Sequence, residues 1–243
     1  MDDQIIYGRN PVNEALKQGV DIAKIYMNRE LTGEYEITIR KWCKENNIPL
    51  SKVPVSKLDQ MAKRQIHQGI VAQVAAISIK EIEDIFTEEP QDDDMVVILD
   101  GVSDIRNLGA IARSALAFGC KAIIMSTKGS ASLNMDAVKS SSGALLKIPV
   151  CREKNVMVAI EKLQQIGYTV WASNLKAKLY LHELPKPGPL ALVMGSEDRG
   201  VSREALKVAD DQFKFIQENT IDSLNVSVAT GICLYDLYLR RNH

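Results

Sequence analysis

With 243 residues the chain has room for one large or two modest domains, and 46% hydrophobic with 25% charged residues is the make-up of an ordinary globular protein. No run of about 18 apolar residues is present to cross a membrane, and a formal net charge of −1 does not by itself advertise a nucleic-acid partner. Four scattered cysteines (Cys43, Cys120, Cys151, Cys233) form no C-x-x-C pair, which excludes a zinc ribbon or redox motif and favours a reducing, cytoplasmic setting.

The first residues, Met1-Asp2-Asp3-Gln4, are acidic and lack the apolar stretch of a signal peptide. Ile5-Ile6-Tyr7 is short and apolar. Gly8-Arg9-Asn10-Pro11 follows as a turn, with Pro11 suited to the first position of a helix whose inner face is Val12, Ala15 and Leu16 and which Gly19 closes. A strand over 23–27, a helix marked by Tyr35, Ile39, Trp42 and Cys43, a strand segment from Ile48, a helix from Ser56 to about Arg64 and a strand over 69–75 complete a small β/α unit, residues 1–77. Residues 80–94 hold one lysine against eight acids, a local charge of −7 that leaves +6 on the remainder, which is compatible with an RNA partner. Mutual repulsion predicts that residues 78–94 form an exposed, extended linker, with Ile82, Ile85 and Phe86 able to make a short docked turn.

The second unit spans 95–243. Strands are expected at 95–99, 122–125, 169–172, 190–194 and about 212–216, with helices between most of them, the clearest over 155–166. The alternation predicts an α/β fold with a mainly parallel sheet. Ser140-Ser141-Ser142-Gly143, flanked by apolar pairs, reads as a place of close backbone packing. Pro185-Lys186-Pro187-Gly188-Pro189 reads as a stiff turn.

Three polar stretches run into helices. Asp100-Gly101-Val102-Ser103-Asp104-Ile105-Arg106-Asn107 precedes a helix with Leu108, Ile111, Ala112, Ala115 and Leu116 on one face. Gly195-Ser196-Glu197-Asp198-Arg199-Gly200 precedes a helix from about Ser202. Ser223-Leu224-Asn225-Val226-Ser227-Val228-Ala229-Thr230-Gly231 enters a helix with Val226, Ala229, Ile232, Cys233 and Leu237 inside, and Ser223 is expected to accept a bond from a free N–H at its start. Locally, each stretch also reads as an ordinary capped helix. In open α/β sheets, however, ligands bind where loops leave the carboxyl ends of strands, so these loops are the expected seat of chemistry.

No G-x-G-x-x-G follows a strand, and there is no Walker A loop and no H-E-x-x-H. His67, His182 and His243 lie outside the polar loops, so histidine-based catalysis fits poorly, and Asn, Arg, Glu and Ser are left to carry any chemistry. No metal is expected.

Asn107-Leu108-Gly109-x-x-x-Arg113, Met194-Gly195-Ser196-Glu197-x-x-Gly200 and Ser223-Leu224-Asn225-Val226-Ser227-Val228-Ala229 resemble, in order and spacing, the three motifs of the SpoU/TrmH family, RNA ribose 2′-O-methyltransferases of the SPOUT class. Tyr7-Gly8-Arg9-Asn10-Pro11-Val12-x-Glu14-Ala15-Leu16 and His67-Gln68-Gly69 resemble the small ribosomal-protein-like domain of members that act on ribosomal RNA. The resemblance implies a C-terminal trefoil knot, S-adenosylmethionine as cofactor, a homodimer, and methylation of a guanosine ribose in large-subunit ribosomal RNA. A transfer RNA methyltransferase and a non-catalytic RNA-binding assembly protein of the same fold are the alternatives.

By the same resemblance Asn107, Arg113, Glu197, Ser223 and Asn225 form the catalytic set, and backbone groups around Gly195, Phe215 and Leu224 hold the cofactor. Arg9, Lys63 and Arg64 are candidates for RNA phosphates, although each also reads as part of a solvated face. The chain departs from the family where Ile105 replaces a proline, and where Phe215-Ile216-Gln217 and Asn219 replace Ile-Pro-Met and a glycine. Asn219 can take the left-handed backbone a glycine would.

Overall fold

The computed structural model describes residues 5–185, 188–218 and 223–242. It divides into two compact units: the chain up to Ile79 together with Ser132–Asp136, and Lys80–Ala131 together with Ala137 onward.

In the first unit β1 (Ile5–Tyr7), α1 (Arg9–Lys17), β2 (Ile22–Asn28), α2 (Glu34–Glu45), β3 (Leu50–Val53), α3 (Val55–Met61) and β4 (Ile70–Val74) alternate. The sheet order is β1-β4-β2-β3, with β4 antiparallel to both neighbours and β2 parallel to β3. Side chains alternate across a strand, and that sets the layers. Ile70 and Ala72 join Val12 and Leu16 of α1 and Ile39 and Cys43 of α2, whereas Val71 packs with Leu58 and Ala62. Pro11 stands third in α1 rather than first. The helix begins two residues earlier, where Gly8 turns the chain at φ +88 and the Gln68 side chain accepts the Arg9 N–H at 2.8 Å.

The remaining elements, in chain order, are β5 (Ile79–Lys80), α4 (Ile82–Ile85), β6 (Met95–Asp100), α5 (Ile105–Ala117), β7 (Ala122–Ser126), α6 (Met135–Ser140), β8 (Val150–Glu153), α7 (Val156–Gln165), β9 (Thr169–Ser173), β10 (Leu179–Tyr180), β11 (Leu190–Gly195), α8 (Arg203–Val208), β12 (Asp211–Lys214) and α9 (Val226–Asn242). The sheet order is β10-β12-β9-β11-β6-β7-β8-β5, parallel from β10 through β8. β6, β7 and β11 are buried on both faces, which is why they read as unbroken apolar runs. α7 and α8 cover the face that carries Val96, Ile98 and Val193. α5 and α9 pack on each other, and against β7 and β11 respectively. No helix among the described residues is long and apolar enough to cross a membrane.

The acidic stretch before β6 is not extended throughout. Ile82 and Phe86 are buried in the second unit's core, and the Phe86 ring meets Tyr168 edge-on at 5.5 Å. Distant cations relieve the expected repulsion: Lys162 pairs with Glu83 at 2.9 Å and Lys121 with Asp94 at 2.8 Å. The strand expected to reach residue 216 stops at Lys214, and Ile232 is exposed rather than on the inner face of α9. The close packing expected at 140–143 is present. A Cβ on Gly109 of α5 would lie 2.6 Å from the Ser140 carbonyl carbon, and Ser141 is fully buried, its hydroxyl donating to Val138 and accepting from Leu145 N–H. Of the proline-rich turn, Lys186 and Pro187 lie outside the described residues, as do Asn219 and His243.

Candidate active site

β6 and β11 are neighbours whose last residues, Asp100 and Gly195, lie in register. From β6 the sheet runs through β7 and β8 on one side, and through β11 and β9 on the other, so the two strands flank a topological switch point. Asp100 Oδ2 accepts the Ser202 N–H at 2.8 Å and ties the start of α8 to the end of β6. The loop after β11 folds back so tightly that a Cβ on Gly195 would sit 1.9 Å from the Gly200 carbonyl carbon. Only glycine permits that closure.

Asp104 caps α5, its carboxylate accepting the Arg106 N–H at 2.6 Å and holding the Arg106 guanidinium at 2.9 Å. These bonds depress the Asp104 carboxyl to about 2. Asn107 follows on the first turn. Its Nδ2 donates to Glu197 Oε1 at 3.1 Å, and its Oδ1 accepts from Asn225 Nδ2 at 3.1 Å. Asn225 Nδ2 also donates to Glu197 Oε1, which closes a ring of three side chains. Their separations of 90, 118 and 28 residues make the ring a product of the fold.

Asn225 has a second task. Its Oδ1 accepts from Ser227 N–H at 2.9 Å, Ser227 Oγ at 2.6 Å and Val228 N–H at 3.3 Å, so Asn225 caps α9. The expectation that Ser223 caps this helix is corrected: α9 starts at Val226, one residue after the asparagine. The cap also orients the amide. With Oδ1 committed to backbone donors, Nδ2 must face the carboxylate.

Beside this ring lies a cavity of about 280 Å³, at the small end of the range for small-molecule sites. Gly195, Glu197, Phe215, Ser223 and Leu224 line it, together with Met194, Phe213, Val226 and Ala229. Phe215 meets Phe213 edge-on at 5.7 Å. Of the residues expected at the site, these five reach the cavity, and Asn107 and Asn225 join through Glu197. Arg113 does not. It is exposed nearly two turns along α5 from Asn107 and makes no hydrogen bond or ion pair among the described residues. The cation nearest the ring in sequence is instead Arg106, which pairs with Asp104 at 2.9 Å and feels the Glu197 charge only at longer range. Sequence reasoning passed over Asp100, Asp104 and Arg106. A capping signal was available for Asp104, an acid just before a helix, but nothing local marks Asp100 as a partner of Ser202.

In the first unit the Arg9 guanidinium lies 4.7 Å from the centre of the Tyr35 ring, and burial pushes the Tyr35 hydroxyl up to about 12 against the opposing pull of Arg9. Lys63 and Arg64 follow α3 in consecutive left-handed conformations.

Residues 94–235 match the SpoU rRNA Methylase family, and residues 5–79 match the family described as RNA 2′-O ribose methyltransferase substrate binding. The chain belongs to the SpoU family. The Bacillus subtilis protein YacO, assigned to the TrmH family of tRNA/rRNA methyltransferases, is 34% identical over 239 residues, covering 98% of this chain and 96% of its own. The AdoMet-bound rRNA methyltransferase of Sinorhizobium meliloti matches 98% of this chain and 87% of its own with a TM-score of 0.62, and at 24% identity that is a likeness of fold. The A. aeolicus TrmH/SpoU tRNA modifying enzyme, 28% identical, matches 64% of this chain and 78% of its own with a TM-score of 0.56. This SpoU chain is thus an RNA 2′-O-ribose methyltransferase for tRNA or rRNA, built as a small mixed-sheet domain followed by a parallel-sheet SpoU domain.

Proposed function

We propose that this SpoU enzyme transfers the methyl group of S-adenosylmethionine to a guanosine ribose 2′-hydroxyl in large-subunit ribosomal RNA. The observation that carries the reading is the Asn107–Glu197–Asn225 ring beside a cavity at the switch point. The ribosomal preference is supported by the match of residues 94–235 to the family described as SpoU rRNA Methylase.

The cavity suits the cofactor chemically. Met194, Leu224, Val226 and Ala229 offer an apolar wall for a flat purine, and Glu197 offers a negative charge to a sulfonium. Gly195, Phe215 and Leu224 would hold it, within a C-terminal trefoil knot. Bound there, S-adenosylmethionine supplies a methyl group already activated for attack.

The protein's own task is to set the hydroxyl in line and manage its proton. Negative charge develops on the ribose oxygen and needs a fixed positive partner. Arg113 takes that role, as oxyanion stabiliser and phosphate clamp first and as base second, because a guanidinium is normally too basic to give up its proton. The ring of Asn107, Glu197 and Asn225 holds the loops rigid against the cavity, and Ser223 on the cavity wall positions substrate.

The active form is a homodimer. Val228, Ile232, Tyr235 and Leu239 of α9 form an exposed stripe at helical spacing, with Tyr238 and with Leu116 of α5 also exposed. A contiguous apolar stripe of this kind marks an association face. A second copy seated on it brings the exposed Arg113 into a shared site. Arg9, Lys63 and Arg64 contact RNA phosphates, and the enzyme works in the cytoplasm.

Methyl transfer from labelled S-adenosylmethionine to large-subunit ribosomal RNA and to transfer RNA, compared side by side, tests the reading. Label confined to transfer RNA would overturn the ribosomal assignment.

A further inference from the structure

We infer that Ile66 is a nucleotide-docking residue, an apolar tip that packs against one unpaired, unstacked base of the RNA substrate while Lys63 and Arg64 hold the neighbouring phosphates. The inference rests on the reading of the chain as an RNA methyltransferase and adds a specific contact to it.

The loop that presents Ile66 is held in an unfavourable shape. Lys63, Arg64 and Gln68 have φ of 51, 63 and 51, the left-handed region that side chains other than asparagine and aspartate seldom enter. Strain of this kind persists where the surroundings over-determine it, and it concentrates at functional sites. Here the surroundings are visible. Arg64 N–H donates to the Asp59 carbonyl at 2.7 Å, and Gln65 N–H to the Ala62 carbonyl at 3.0 Å. His67 is buried, with Nε2 3.1 Å from Asp59 Oδ1 and Nδ1 accepting the Gly69 N–H at 3.0 Å. Gln68 reaches across to accept the Arg9 N–H. The loop is therefore pinned on both sides of Ile66.

Against this anchoring, Ile66 itself is turned outward. At 84% exposure it is the most exposed large hydrophobic residue among those described. A single exposed isoleucine is ordinary on a protein surface. This one stands on a fixed loop whose residues 62–69 contain two cations and no acid, the carboxylate beside it, Asp59, being engaged by His67. The charge favours a polyanion. The apolar area is one side chain, far too little for a protein interface but the right scale for one face of a base. Aliphatic side chains wedge against unstacked bases in nucleic-acid complexes, and unpaired nucleotides are where RNA offers open faces.

The test is RNA binding by the 243-residue chain, measured by fluorescence anisotropy across a salt series, with a guanosine-containing single-stranded RNA oligonucleotide and the same sequence as a duplex. Ile66→Ala is expected to weaken single-strand binding roughly five- to tenfold with an unchanged salt slope, because every phosphate keeps its cation. Ile66→Phe restores binding. Arg64→Ala instead lowers the slope by about 0.7 for each single-strand phosphate left without its cation. Because Ile66 packs on little, circular dichroism and cofactor binding stay as in the wild type. Wild-type affinity in Ile66→Ala, or equal weakening on duplex and single strand, overturns the inference alone. If Ile66→Ala binds free RNA normally but fails to methylate ribosomal particles, the partner is a protein and the inference falls. A wild-type chain that binds no RNA removes the proposed function and this contact together.

Discussion

Asn225 joins two tasks that substitution can separate. Asn225→Asp keeps an oxygen for the Ser227 and Val228 N–H groups, so the cap on α9 survives, since aspartate and asparagine cap about equally well. The same change removes both Nδ2 donations, to Asn107 and Glu197, and sets a second carboxylate facing Glu197. A hydrogen bond to a charged group contributes about 1.5–3 kcal/mol. At about 1.4 kcal/mol per tenfold, the expected loss in kcat/KM is roughly 10- to 100-fold. Asn225→Ala loses the cap as well, about 1 kcal/mol, which for a chain of this size lowers the melting temperature by about 2–4 °C. The assay pairs thermal melting with methyl transfer. Both variants lose the ring bonds, and with them about 10- to 100-fold in kcat/KM and some stability; in a Glu197→Gln background, which removes the facing charge, Asn225→Asp is expected to melt above Asn225→Ala because it keeps the cap. Asn225→Asp with wild-type kcat/KM would refute the role of the ring, and Asn225→Asp melting as low as Asn225→Ala in the Glu197→Gln background would refute the cap.

Gly195→Ala drives a Cβ into the Gly200 backbone, so the loop must open; stability falls by about 1–3 kcal/mol and calorimetric affinity for S-adenosylmethionine drops more than tenfold. Ile105→Pro is stabilising. Ile105 is the first residue of α5, where proline is favoured, and Asp104 before it already has φ −79 and ψ 124, so about 0.4–1 kcal/mol and a melting temperature higher by a few degrees are expected. The Asp104 carboxyl is depressed to about 2 by its bonds to Arg106. A carboxylate depressed in the folded state stabilises the fold above its ordinary range, near 4, and that contribution is lost as pH falls through about 2. Carbon-detected NMR titration reads the midpoint directly, and a value near 4 would show that the Arg106 pair does not form in solution.

Much of the second unit was legible because its central strands are buried on both faces, and an uninterrupted apolar run of strand length such as Met95–Leu99 suits few places but the middle of a covered sheet. β8 was not legible. Its Val150-Cys151-Arg152-Glu153 ends in charges, and Glu153 is accommodated in the interior only because Lys162 reaches it at 2.6 Å from α7. The acidic stretch misled for a similar reason, since Lys121 and Lys162 lie far along the chain. Ser223 and Asn225 are both good capping residues, so local pattern could not choose between them. The main contacts of Asn225 beyond its own helix, Asn107 and Glu197, are tertiary. The family motifs single out Asn107, Glu197 and Asn225, but their convergence is a property of the tertiary fold alone. Arg113 lies off the buried Leu108, Ile111 and Ala115 face of α5 and is exposed, but no pattern in one chain identifies what a guanidinium on the surface will meet.

The proposed reaction places a methyl group on a ribose oxygen. A 2′-O-methyl group blocks alkaline cleavage of the adjoining phosphodiester, because the 2′-oxygen is the internal nucleophile. Large-subunit ribosomal RNA treated with the purified enzyme and labelled S-adenosylmethionine, then hydrolysed in alkali, should yield the label in one resistant dinucleotide beginning with guanosine. Label released entirely in mononucleotides would place the methyl group on a base and contradict the account.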